Sequence, residues 1–264
     1  MIRPVFTNTA SFTTRQRLIL RGGKGRVTLL TRCGLILHPT QGPVLIDAGC
    51  GPRVTAGAGR SFALRLYNAM LGPVVHYLAS PMALLAAHGF APTDVSRIFL
   101  THLHADHLGY LDAFPNASLV TDGTVIGGLR EGVFPELLPD DFATRQLSLR
   151  DYPKTCLPFG LGAGFDLFGD GTLLGVPLPG HAAGHYGLCF TKGKPLLYAV
   201  DAQWLLPGVL QGRIPGFPAS LLAHDKADLA DSVALAQRFA QAGGEVVLCH
   251  DPTPTRYDWS PGDV

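Results

Sequence analysis

The densest run of residues able to do chemistry is Thr101-His102-Leu103-His104-Ala105-Asp106-His107, which directly follows the short apolar stretch Arg97 to Leu100. Residues two apart on an extended chain point the same way, so His102 and His104 can share one metal ion. After a sharp turn, Asp106 and His107 can face a second ion close to the first. Imidazole nitrogens with a carboxylate oxygen suit zinc, manganese or iron.

Three later segments supply what that run lacks. Pro179-Gly180-His181-Ala182-Ala183-Gly184-His185 follows an apolar run, Ala199-Val200-Asp201 ends another, and Cys249-His250-Asp251 ends a third. Taken singly, a strand-end His or Asp reads as a turn or capping residue. Taken together, His181, Asp201 and His250 bring the set to seven, the number a two-metal site needs. His185, four residues beyond His181, is placed to hydrogen-bond a carboxylate or the substrate. Asp47, in the Asp47-Ala48-Gly49 turn, reads as a support for backbone or a ligand histidine, and Asp251 as a similar support or a solvent-facing residue. His38, His76, His88 and His224 fall in no ligand pattern.

The elements that must position these groups are short. Val27 to Leu37 and Val44 to Asp47 are β-rich runs around a Pro39 to Pro43 turn, a hairpin signature. Gly49 to Pro73 reads as a long loop with one helical turn, and Pro81 to Gly89 as a helix stopped by Gly89. Strands are expected at Arg97–Thr101, Ala117–Thr121, Thr172–Leu178, Tyr186–Thr191, Pro195–Val200 and Glu245–Leu248. Gly123 to Gly171, punctuated by prolines, reads as part helix and part cover over a site. Ala219 to Ala242 is the clearest helix, ended by Gly243-Gly244. With no repeat or linker, residues 1–264 are expected to form one domain.

The pattern His102-x-His104-x-Asp106-His107, then His181, Asp201 and His250, resembles the metallo-β-lactamase superfamily, and its order covers most of the chain. The resemblance implies an αβ/βα sandwich of two mixed sheets flanked by helices, with two divalent metals at strand-end loops. It assigns His102, His104 and His181 to one metal, Asp106, His107 and His250 to the other, and Asp201 to bridge them. Zinc is the first expectation, with manganese or iron compatible. Gly180-His181-x-x-Gly184-His185 and His250-Asp251 are most similar to the N-acyl-homoserine lactonase group. That implies hydrolysis of a carboxylic ester, a lactone first. Asp106, as ligand and proton relay, and His185, as hydrogen-bond partner of a carboxylate or the substrate, are the candidate catalytic residues. In those lactonases a tyrosine follows the bridging Asp by three positions. Here that position is Trp204, which has an N–H donor but no acidic hydroxyl; Tyr110, Tyr186 and His185 are the alternatives for its role.

Composition limits the other possibilities. Net charge is +1, and no basic run is longer than the scattered Arg21, Lys24 and Arg26, so a nucleic-acid partner is not expected. The most apolar stretch, Gly72 to Ala91, is interrupted by His76, Pro81 and His88, so no membrane span is expected. Five cysteines, odd in number and scattered, read as reduced thiols of a cytoplasmic protein. The expected partner is a small ester or lactone, with a homodimer left open. Phe62, Leu64, Leu66, Tyr67, Met70 and Leu71 fit either an acyl chain or the core, as do Phe142, Phe159, Phe165 and Phe168. Thioester (glyoxalase II-like) hydrolysis, phosphodiester hydrolysis and iron-dependent redox chemistry remain the other readings of the same residues.

Overall fold

A computed structural model of the chain describes residues 1–262 except Arg21, Ile126, Arg130 and Pro218. Arg21 of the basic turn therefore lies outside the described residues. The chain divides into two compact units, each assembled from segments distant in sequence. One comprises Met1–Ile2, Thr14–Leu29 and Ser148–Thr253, the other Arg3–Thr13, Leu30–Leu147 and Pro254–Val264.

The unit centred on 30–147 is built on a mixed sheet, seven-stranded among the described residues. Strands β1 (Pro4–Arg15), β2 (Arg26–His38), β3 (Gly42–Ile46), β4 (Val74–Val75), β5 (Arg97–Phe99), β6 (Ser118–Val120) and β7 (Gln146–Leu147) lie in the order β4-β1-β2-β3-β5-β6-β7. The hairpin β2-β3 is antiparallel, whereas β3, β5, β6 and β7 run parallel, so their C-terminal ends emerge together. Helices α1 (Pro52–Thr55), α2 (Phe62–Leu71), α3 (Pro81–Ala87) and α4 (Phe142–Arg145) send Val54, Leu64, Leu84, Leu85 and Phe142 into one core with Leu35, Leu45, Ile98 and Leu119 of the sheet. Burying each such side chain contributes about 1.5–3 kcal/mol.

The unit centred on 148–253 is built on a second mixed sheet, six-stranded among the described residues. Strands β8 (Lys154–Cys156), β9 (Ala163–Asp166), β10 (Leu173–Pro177), β11 (Tyr186–Phe190), β12 (Leu196–Val200) and β13 (Glu245–Leu248) lie in the order β13-β12-β11-β10-β9-β8. Neighbours are antiparallel except β12 and β13, which are parallel. Hence β10, β12 and β13 all point the same way, and the loops after them share one end of the sheet. Helices α5 (Leu206–Leu210) and α6 (Lys226–Gln241) pack on this sheet through Val209, Ala236 and Phe239.

The N-terminal residues, for which no element was expected, form the long strand β1, buried at Phe6 and Ala10. Three expectations need correction. The loop expected over 49–73 holds α1 and α2, the latter capped by the Ser61 hydroxyl and closed by Gly72 in the left-handed region. Its helical period was hidden because apolar residues occupy its outward face as well as its inward one. The stretch 123–171, apart from Ile126 and Arg130, adds α4 and strands β7, β8 and β9. The helix expected from Ala219 begins at Lys226, where Asp225 accepts the Ala227 and Asp228 N–H groups, and Ala219–Leu221 is a separate 3₁₀ turn. No helix among the described residues is long and apolar enough to cross a membrane.

Candidate metal centre

In the 30–147 unit, the ligand-type residues sit in the turn after β5. A 3₁₀ turn at Ala105–His107 folds the run back on itself and closes with His107 N–H donating to the His104 carbonyl at 3.0 Å. The imidazoles then converge, His102 and His104 with ring centroids 4.4 Å apart and His102 and His107 4.1 Å apart. The Asp106 carboxylate lies 3.8 Å from His107 Nε2. Gly132, with φ of 65°, closes over the ring of His104, where a Cβ would come within 2.8 Å of Cδ2. A side chain there would displace a ligand-type histidine.

Asp47 holds this turn in place. It follows β3 with φ of 58°, and one carboxylate oxygen accepts the Thr101 N–H at 2.8 Å. The other meets the Thr101 hydroxyl at 3.0 Å and His107 Nδ1 at 2.8 Å. Both partners are fully buried. Burial pushes the Asp47 carboxyl above its ordinary value, while His107 and the Thr101 hydrogen bonds pull it back. The supporting role expected of Asp47 is what the structure gives it. Thr101 was not singled out in that role, and its only signal was its place beside His102.

In the 148–253 unit, the residues come from three strand ends. Asp201 follows β12, Cys249 and His250 follow the parallel β13, and His181 follows β10. The Asp201 carboxylate lies between two imidazoles, its Oδ2 3.3 Å from His181 Nε2 and 3.2 Å from His250 Nε2. Ligand atoms of Asp201, Cys249 and His250 are within 4.8 Å of one another. Burial opposes a charged His250, but Asp201 and Cys249 outweigh it and hold its pKa well above the ordinary value. Val200 introduces Asp201 with φ of 51°, a left-handed backbone that a β-branched residue rarely adopts, at a shift in the β12–β13 register. Such a conformation costs on the order of 1–3 kcal/mol, and it aims the following carboxylate.

His185 straps this arrangement. Its Nδ1 lies 2.6 Å from the Leu178 carbonyl, to which it can only donate, so Nε2 accepts from the Asp201 N–H at 3.3 Å. The ring is thereby a neutral tautomer with both nitrogens engaged by backbone. Gly180, with φ of 107°, lets α6 approach the His181 backbone, since a Cβ would lie 2.0 Å from the Leu229 nitrogen. Asp251 accepts the Leu206 and Thr253 N–H groups, and Gln203 accepts those of Trp204 and Leu205. They hold Trp204 with its ring edge-on to His250, centroids 5.5 Å apart. Gln203 was not anticipated, and no local pattern marks it.

The remaining residues divide clearly. Leu64 is core, Tyr67 packs on Phe134, and Phe62 and Met70 are exposed. Phe142 and Phe165 are buried, while Phe159 is exposed and packs on Phe239. His38 caps its own turn, His76 bonds Ser11 and the Asn8 carbonyl, and His88 bonds the Leu84 carbonyl. The Tyr110 hydroxyl sits among Cys50, Tyr77 and Cys33, and burial pushes its pKa up to about 12. No disulfide occurs among the described residues, and the five cysteines are thiols.

Buried imidazoles and carboxylates gathered at the C-terminal ends of parallel strands define a metal-binding α/β protein. Residues 27–249 match the family described as the metallo-beta-lactamase superfamily, and the chain belongs to that superfamily. It is 34% identical over 176 residues to the N-acyl homoserine lactonase AttM of Rhizobium radiobacter, covering 64% of this chain and 62% of that one. It is 32% identical over 228 residues to the lactonase of the same name from Azorhizobium caulinodans, covering 83% and 80%. The chain thus spans less than two thirds of the first relative's length and more of the second's. A solved N-acyl homoserine lactone hydrolase with N-hexanoyl-L-homoserine at its catalytic metal centre superposes with a TM-score of 0.70 at 18% identity, covering 94% of this chain and 93% of that one. The two mixed sheets with flanking helices are the αβ/βα fold of the superfamily.

Proposed function

We propose that the chain is a metal-dependent hydrolase that opens a carboxylic ester, first of all a lactone such as an N-acyl-homoserine lactone. The observation that carries the reading is the buried Asp201 carboxylate between His181 and His250 at 3.3 and 3.2 Å. A carboxylate with an imidazole nitrogen on each side is a donor set for divalent cations. In this reading His102, His104 and His181 would hold one metal, Asp106, His107 and His250 the other, and Asp201 would serve both. Nitrogen and oxygen donors of this kind favour zinc, with manganese or iron also accommodated. When bound, such ions lower the pKa of water towards neutrality and polarise an acyl carbonyl.

The protein's own groups do the rest. Asp47 orients His107, and His185 orients Asp201, so the donors are set before any ion arrives. Asp106 accepts the proton of the attacking water on a carboxylate oxygen and passes it to the leaving oxygen. One acyl C–O bond breaks as one forms, giving a hydroxy acid from a lactone. Trp204 walls the side of His250 and carries no acidic proton. We take residues 1–264 as a single domain, and the five thiols suit a cytoplasmic location.

The test is a panel of acyl-homoserine lactones, simple lactones, thioesters, aryl esters and bis(p-nitrophenyl) phosphate, with elemental analysis of protein purified without added metal. Metal-dependent turnover led by lactones, with about two metals per chain, is expected. Faster turnover of the phosphodiester than of every ester would overturn the substrate class. Iron with oxygen consumption on a persulfide would overturn the hydrolytic reading.

A further inference from the structure

Helix α2 is rigidly mounted yet apolar on its outer face. Ser61 caps its start, Gly72 closes its end, Leu64 is buried, and Tyr67 packs on Phe134 with ring centroids 5.2 Å apart. The outward positions Phe62, Leu66 and Met70, four residues apart, form one stripe along the helix. They are 81%, 39% and 71% exposed, and past the Gly72 turn Val74, Tyr77 and Leu78 are 61%, 63% and 78% exposed. Soluble chains seldom leave so many large apolar side chains in water within one short segment.

We propose that this face is the contact between two copies of the chain, which pair through α2 about a twofold axis. The size fits: the six side chains offer on the order of 700 Å² of surface, near the about 800 Å² each partner contributes to a standard interface. The stripe also fits. Residues at i, i+4 and i+8 make a self-complementary ridge for an antiparallel helix pair, and Ala69 on the same side permits close approach.

Charge decides against a lipid surface. Arg65 is the sole charged residue of α2. Arg53 is turned onto Asp112 and the Glu136 carbonyl, and Arg60 onto the Thr55 carbonyl. Stable docking on anionic lipid takes a cluster of cations. Shape decides against a bound acyl chain, because a convex helix face does not enclose a small ligand.

The experiment is sedimentation velocity on the purified full chain across micromolar concentrations, compared with the double variant Phe62→Glu/Met70→Glu. The wild type is expected to sediment as a dimer, and the variant as a monomer with Kd raised more than about 100-fold. Both substituted positions are exposed in the single chain, so an unchanged far-ultraviolet spectrum and metal content should accompany the loss, with the melt lowered only by the stabilisation the dimer supplied. A milder pair, Leu66→Ser/Tyr77→Ser, should weaken the dimer in the same direction. A monomeric wild type, or a dimer untouched by both variants, overturns the proposal. So does a monomer that pellets with phosphatidylglycerol vesicles. None of these outcomes depends on whether the chain hydrolyses a lactone.

Discussion

The 102–107 turn and the trio His181, Asp201 and His250 use the same donor chemistry but are held by different means. The first is local. Residues 101–107 fold over a single 3₁₀ turn, and one buried carboxylate, Asp47, pins Thr101 at its start and His107 at its end. The second has no local cause. It exists because β10, β12 and β13 end at one side of their sheet, and because Val200 and His185 turn Asp201 towards its neighbours. Local clusters survive small shifts of the fold, whereas convergent ones depend on strand register. The convergent trio should therefore be the more fragile of the two.

The most severe way to press that comparison is to remove the carboxylate shared by two histidines. Asp201→Asn keeps the shape but discards the charge between His181 and His250. Metal content should fall by about half or more, and turnover by on the order of 10³-fold. Asp106→Asn in the local turn should lose turnover with less loss of metal, because His102, His104 and His107 stay converged. Elemental analysis beside steady-state kinetics checks both. Equal metal loss in the two variants would erase the distinction.

Next in size is the support of the local turn. Asp47→Ala strips a partner from His107 Nδ1, the Thr101 hydroxyl and the Thr101 N–H at once. Outer supports of this kind are worth about 10- to 100-fold in metal affinity. Competition against a chelator should show a shift in that range. Full retention of affinity would mean the 3₁₀ turn holds itself.

The support of the convergent trio gives a smaller effect with a sharper reading. His185 has both nitrogens committed to backbone, so its role is to position Asp201, not to move protons. His185→Ala should lower stability by about 1–3 kcal/mol through the Leu178 carbonyl and Asp201 N–H it abandons. Turnover should drop about tenfold while the shape of the pH–rate profile stays the same. Loss of an acidic or basic limb would instead make His185 the proton carrier.

These differences in construction explain what the sequence could and could not reveal. The 102–107 run was readable from side-chain types alone because its geometry follows from adjacency. His181, Asp201 and His250 were readable as strand ends, but only the family pattern tied them together, since parallel pairing of β12 with β13 leaves no local mark. Gln203 serves the N–H groups of the next two residues and Val200 strains its own backbone just before Asp201, but neither residue type announces that role. Helix α2 was hidden for an opposite reason. Its outer face is as apolar as its inner one, so the contrast that reveals an amphipathic helix was missing. Strands β2, β3, β5, β6 and β10 to β13 were legible within a residue or two because their cores are β-branched and aliphatic; β4, β7, β8 and β9 are too short to show a period, and the threonines of β1 read as polar.

The smallest expected effect concerns the role vacated at Trp204. Tyr110 stood among the alternatives, but its hydroxyl lies among Cys50, Tyr77 and Cys33, and it has no hydrogen-bond partner among the described residues. A buried phenol without a partner contributes nothing by its oxygen, so Tyr110→Phe should change turnover by less than about twofold and leave stability level or slightly higher. The pH dependence carries the sign. Burial raises the phenol from 10.0 to about 12 in the folded chain, so the unfolded chain ionises first. Relative to Tyr110→Phe, the wild type should keep its stability below pH 10.0 and lose it as pH climbs through about 12. Denaturant melts of both proteins along that range, with phenolate absorbance as the monitor, measure the difference. A tenfold fall in turnover for Tyr110→Phe near neutral pH would return this hydroxyl to the reaction.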